Sequence, residues 1–188
     1  MEMLGHRRLG VTRHQAWDAL HDPATLQKCI PGCDRFELTG ENEYTVALAL
    51  KIGPVSAKFT GKVTLSDIDP PNGYRLGFEG QGGVAGFAKG ASSVALKPAE
   101  DDADACELDY TVQAQVGGKI AQMGQRLIDG AAKSTADDFF KRFDAEMQRR
   151  SGPAPEEAEA TTDAPAEKSG AVAGFMQKIG FGKKGDGD

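Results

Sequence analysis

The side chains that could do acid–base or metal chemistry are few in this 188-residue chain. His6, His14 and His21 are its three histidines; all lie near the start, and none sits in the context of a catalytic triad. Asp67 and Asp69 precede Pro70-Pro71, a place where carboxylates begin turns. Cys29 and Cys33 flank the Pro31-Gly32 turn. Their spacing is not C-x-x-C, there is no second cluster, and only His21 lies nearby, so packed thiols are expected rather than zinc ligands. The stretch Gly80–Gly90, GQGGVAGFAKG, invites a phosphate-loop reading, but Lys89 is followed by Gly90 and no helix begins there. A glycine-rich strand pair or the lip of a cavity is expected instead, because glycines on strands let a backbone or a ligand come close. No nucleophile–base pair emerges, so no residue is assigned a catalytic or metal-binding role.

The end of the chain points to apolar chemistry. Residues 151–168, SGPAPEEAEATTDAPAEK, hold no aromatic and no branched aliphatic side chain. Apolar residues then return in GAVAGFMQKIGFG. Val172, Phe175, Met176 and Ile179 follow i, i+3, i+4, i+7 spacing and share a face if helical, with Phe181 beyond. Lys178, Lys183 and Lys184 accompany them without an acid between residues 169 and 184. We read 151–169 as a flexible acidic linker and 170–188 as a short amphipathic tail that binds the membrane surface reversibly. The tail is too short to span a bilayer, and each Lys near an anionic leaflet adds about 1 kcal/mol. Docking on its own domain, or in the groove of a partner protein, are the other readings of the same pattern.

Charge and cysteine usage narrow the class. The net charge is −6, yet residues 1–150 are nearly balanced, with 18 basic and 21 acidic side chains. A nucleic-acid binder would carry a basic stripe; none is seen, and no nucleic-acid partner is expected. The chain shows no secretory signal peptide, and three cysteines are an odd number, which together point to the cytoplasm.

The elements that must position any site follow from periodicity. Met3–Leu9 reads as a strand. Thr12 is a plausible N-cap for a helix bearing Ala16, Trp17 and Leu20, and Asp22-Pro23 restarts a second short helix that ends at Ile30-Pro31-Gly32. Alternation then marks strands around Tyr44–Ile52, Phe59–Leu65, Tyr74–Phe78, Ala91–Leu96 and Leu108–Val116. Turn residues at Gly40-Glu41-Asn42, Gly53-Pro54, Pro70–Gly73 and Glu100–Asp104 separate them. From Lys119 to Arg149 the period becomes helical, with Ile120, Met123, Leu127, Ala131, Thr135, Phe139, Phe143 and Met147 near one face. Gly124 and Gly130 are expected to mark a bend or a close approach to the sheet. The order predicts an α+β fold over 1–150: a curved antiparallel sheet gripping a long terminal helix, with room for an apolar cavity between them.

Several pieces are recognisable together: Cys29-Ile-Pro-Gly-Cys33, Gly53-Pro54, Phe59-Thr-Gly61, the Gly80–Gly90 loop, Gly117-Gly-Lys-Ile-Ala-Gln-Met-Gly-Gln-Arg-Leu-Ile128 and Phe139-Phe140. Over about residues 1–147 the chain resembles the CoxG family of carbon-monoxide dehydrogenase subunits, within the START-like (SRPBCC) helix-grip superfamily. The resemblance implies a non-catalytic carrier that brings a carbon-monoxide dehydrogenase or related molybdenum hydroxylase together with the membrane quinone pool. Menaquinone or ubiquinone would be the bound ligand, with the protein peripheral at the inner face of the membrane. Phe59, Leu76, Phe78, Phe87, Tyr110, Met123 and Leu127 are the expected lining residues. Two alternatives accompany this reading: a recruitment factor that anchors the dehydrogenase without carrying a ligand, and a small cyclase or hydrolase of the helix-grip superfamily.

Overall fold

A computed structural model describes residues 1–151. The expected linker, and the tail with Val172, Phe175, Met176, Lys178, Ile179, Phe181, Lys183 and Lys184, lie outside the described residues. The chain begins with strand β1 (Glu2–Leu9) and two short helices, α1 (Arg13–Leu20) and α2 (Pro23–Cys29). Six strands follow: β2 (Cys33–Gly40), β3 (Glu43–Ile52), β4 (Val55–Asp69), β5 (Gly73–Gln81), β6 (Phe87–Pro98) and β7 (Cys106–Gly117). Helix α3 (Gln125–Ser151) closes the described chain. Seven strands form one antiparallel sheet in the order β1-β7-β6-β5-β4-β3-β2. The helix-grip α+β fold is thus present.

Local chemistry explains the joints. Thr12 caps α1 through a capping box with Gln15, so two otherwise unpaired amide donors are satisfied reciprocally. Asp22 caps α2, with Pro23 at its first position, where no amide donor is missed. Ile52 pairs with Val55 across Gly53-Pro54, and Gly53 takes a φ of +58°, which tight hairpin turns require of glycine. The Gly80–Gly90 stretch is a hairpin tip: β5 ends at Gln81, one 3-10 turn covers Gly83–Ala85, and β6 starts at Phe87. Strand β2, with no clean alternation in its burial, is an element the sequence pattern did not single out.

Helix α3 differs from expectation in two ways. It starts at Gln125 rather than Lys119, because a 3-10 turn at Ala121–Met123 is followed by Gly124 at a φ of +88°. Gly130 sits in the helix with open space where a β-carbon would stand, so it marks no close approach to the sheet. Of the four buried residues of α3, Phe143 and Met147 lie on the predicted row, whereas Ile128 and Phe140 are buried in place of its Leu127 and Phe139. An i+4 row advances around the helix by about 40° per step, so five steps carry it about 200°. Leu127 and Met147 therefore cannot face the same way.

Candidate ligand cavity

The apolar interior is three clusters rather than one. The largest joins Leu9, Trp17, Leu20, Leu108, Phe143 and Met147 at the end closed by α1 and the last turns of α3. A second holds Phe59, Ala85, Ile120 and Ile128 where α3 begins, and a third holds Phe36, Tyr44 and Val46 under β2 and β3. Half-buried side chains link them, Leu65 touching the first and third and Leu48 the second and third, while the middle of α3 adds little above them. Between Ile128 and Phe140 no α3 side chain is buried; Ala131, Ala132, Thr135, Ala136 and Phe139 are the half-buried ones. Four of those five are small, so the helix crosses above the sheet without filling the space beneath.

That space is a cavity of about 460 Å³ between α3 and the inner face of the sheet. Its walls include Val46, Leu48, Val63, Leu76, Val94, Val112 and Phe139, all but Val46 only half-buried although they point inward. A second chamber of about 220 Å³ adjoins it, sharing Val46, Leu48, Val63 and Phe78 and reaching Phe59, Ile120 and Ile128. Polar groups on the larger wall are Tyr44, Tyr74, Ser92, Tyr110 and Thr135. The Thr135 hydroxyl donates to the Ala131 carbonyl at 2.8 Å and is occupied. Burial raises the phenol pKa of Tyr44 and Tyr74 above the ordinary tyrosine value, so both hydroxyls stay neutral donors at physiological pH. A wider depression of about 1050 Å³ lies on the outer face over Gly77 and Ala91, edged by Lys62, Glu79 and Lys89. It is an open, charged surface where outward side chains are missing, and it encloses nothing.

Of the residues singled out from sequence, Phe59, Leu76, Phe78 and Tyr110 stand on the chamber walls. Phe87 does not. Its ring lies on Gly117, its direct partner across the β6–β7 pair. Tyr110 over Gly5, Phe78 beside Gly90 and Phe59 beside Gly82 repeat that arrangement, and a β-carbon at any of these glycines would run into the ring. Packing on a glycine does not keep Phe59, Phe78 and Tyr110 from the chamber walls; of these four rings only Phe87 lines neither chamber. Met123 and Leu127 lie outside, beside the Gly53 turn, where a β-carbon on Gly53 would meet both. The late helix start and the 40° drift put them there. Sequence reasoning missed Tyr44, Tyr74, Ser92 and Thr135; the available signal was the run of small residues Gly130–Ala132 and Ser134–Ala136, which cannot fill space.

The two ends of α3 are held differently. At its C-terminal end Arg150 donates to Asp22, the cap of α2, at 3.1 Å, and Glu146 accepts from Arg149 at 2.6 Å and from Arg150 at 3.2 Å. These hydrogen bonds, Arg149's first, hold the Glu146 carboxyl down at about 2. Asp22 is likewise held below the carboxylate range, chiefly by the Thr25 hydroxyl. The histidines serve elsewhere: His21 stacks on Trp17 at 4.1 Å, and His6 meets Asp109 at 2.8 Å on the outer face. All three cysteines are free, with Cys29 and Cys106 buried.

A sheet gripping a helix over a hollow interior is shared by many proteins, and sequence separates them. The family model for CoxG, a subunit of carbon monoxide dehydrogenase, matches residues 5–148. The chain belongs to the CoxG family. Among solved structures, a conserved protein from Geobacillus kaustophilus is 38% identical, with 79% of this chain and 96% of that one covered and a TM-score of 0.74. A START superfamily protein from Mycobacterium smegmatis is similar at 10% identity, covering 79% of this chain and 98% of its own, with a TM-score of 0.62. The Zhui aromatase/cyclase from Streptomyces sp. R1128 is similar at 12% identity, covering 80% and 94%, with a TM-score of 0.58. These last two show the START-like fold alone. A comparison with curated proteins returns no match. In this CoxG-family chain no described helix is long and apolar enough to cross a membrane.

Proposed function

We propose that this CoxG-family domain is a non-catalytic carrier of a respiratory quinone, menaquinone or ubiquinone. It would couple a carbon-monoxide dehydrogenase or related molybdenum hydroxylase to the membrane quinone pool, working at the inner face of the membrane with residues 170–188 as a reversible anchor. The observation that carries this reading is the apolar hollow between the sheet and the small residues in the middle of α3. At about 460 Å³ the main chamber lies in the size range of small-molecule pockets. An apolar molecule leaves a bilayer at little cost only where new apolar contacts replace those of the lipid, and this wall supplies them. A quinone ring also needs donors for its carbonyl oxygens, and the neutral phenols of Tyr44 and Tyr74 are of that type. A long isoprenoid chain would continue into the adjoining chamber of about 220 Å³.

The test is organic extraction and mass spectrometry of the full chain purified from a quinone-containing host, repeated after incubation with quinone-loaded vesicles. One quinone per chain, retained on dilution, is the expected result. A protein empty after both treatments would refute the carrier reading and favour a recruitment factor that anchors the dehydrogenase without a ligand.

A further inference from the structure

The end of the domain where α3 begins carries an apolar rim that nothing in the described chain covers. Val84, at the tip of the β5–β6 hairpin, is 85% exposed and Leu127 is 42% exposed. The two belong to one structure. The Ile120 amide donates to the Ala85 carbonyl at 3.0 Å, Met123 continues from Ile120, and Met123 and Leu127 both flank Gly53. Exposed cations accompany this rim: Lys51 and Arg126 line the groove, and Lys119 precedes Ile120. None of the three enters an ion pair among the described residues, whereas Asp129 nearby accepts from Gln125 at 2.6 Å. A groove of about 790 Å³ runs from the rim along α3, with Asp138 at its far end. Leu50 lines both this groove and the smaller chamber, and Thr135 lines both the groove and the larger one.

We infer that this rim docks on an anionic phospholipid surface, and that the groove beside it is where the cavity exchanges its ligand with the bilayer. Exposed apolar side chains accompanied by cations that form no ion pair among the described residues match the acyl boundary and the headgroup layer of such a surface. Other occupants fit less well. A second copy meeting rim to rim would set Lys51, Lys119 and Arg126 against themselves. The chain's own residues 170–184 carry Lys178, Lys183 and Lys184 and no acid, the same sign as the rim. The exchange route rests on the carrier reading; the docking does not.

The test uses the full chain with Cys33→Ser, labelled by an environment-sensitive fluorophore at Val84→Cys. The control label is at Leu38→Cys, on β2 toward the hairpin end opposite the Gly53 turn. On phosphatidylcholine vesicles containing phosphatidylglycerol, the label at position 84 is expected to shift to the blue and brighten, while that at 38 keeps its value in water. Lys119→Glu with Arg126→Glu should lower the vesicle partition coefficient at least about tenfold, since each cation near an anionic leaflet favours the bound state and each carboxylate opposes it. A label at 84 that stays in water on every vesicle, or a double variant that partitions like the parent, overturns the docking. Quinone content is read separately by extraction. A loaded protein with a water-exposed rim keeps the carrier reading without the docking, and an empty protein whose rim enters the bilayer does the reverse.

Discussion

Replacing Val112 by phenylalanine asks the space between the sheet and α3 to accept a ring. Val112 lies on the inner face of β7, opposite Ser92 and Met3, and lines the cavity of about 460 Å³. The substitution adds roughly 50 Å³, about a tenth of that volume; at about 24 cal/mol per Å³ of cavity removed, filling it contributes about 1 kcal/mol. In a filled core the same insertion costs about 1–3 kcal/mol through forced rotamers and backbone shifts. The two cases differ in sign. Urea titration of the ligand-free protein, read as midpoint and slope, separates them. The expected result is a midpoint unchanged or raised at constant slope, with reduced capacity for the extracted ligand. A loss of more than about 1 kcal/mol at constant slope would refute the hollow interior and the carrier reading that rests on it. Phe143→Ala supplies the contrast: Phe143 is fully buried in the largest cluster, and its truncation should cost about 3–5 kcal/mol.

Three further outcomes are expected. The Glu146 carboxyl is held at about 2, below the ordinary carboxylate value, so its stabilisation is complete above that ordinary range and fades as pH falls through it toward 2. Glu146→Gln should therefore be less stable at neutral pH and lose less on acidification; urea midpoints that fall in parallel would refute the stabilising pairing of Glu146 with Arg149 and Arg150. Burial raises all three thiol pKa values, that of Cys106 to about 11, so the native protein should react slowly with a thiol reagent, half-buried Cys33 first. Equal, rapid modification of all three without unfolding would contradict that burial. Removal of residues 170–188 should leave the thermal unfolding of the domain unchanged and weaken vesicle sedimentation; a variant that sediments like the parent would locate all membrane affinity elsewhere in the chain.

Much of the fold was legible because its signals are local. Thr12 with Gln15 and Asp22 with Pro23 announce helix starts within four residues, and Tyr44–Ile52 alternates because successive side chains on a strand point to opposite faces. Glycine punctuation at Gly53-Pro54 located a hairpin turn, since the positive φ required there excludes most other residues. The quoted motifs were also enough to reach the CoxG family. These features depend on neighbours in the chain and survive without knowledge of what packs against them.

The site was only half legible, because a cavity is defined by what fails to touch. Phe59, Leu76, Phe78 and Tyr110 were readable as inward-facing, yet Phe87 read the same way and lines neither chamber. Met123 and Leu127 followed a helical row that the break at Gly124 and the 40° drift carried outside. Leu127 became part of an exposed rim, a status no single sequence can assign to a leucine. The sequence by itself determined the order of the elements other than β2, the turns, the family and the charge pattern, all set by short-range sterics and composition. Only the tertiary structure decided that α3 crosses the sheet on small residues, that an apolar hollow lies beneath them, and that Tyr44 and Tyr74 share it, because those depend on distances between segments far apart in the chain.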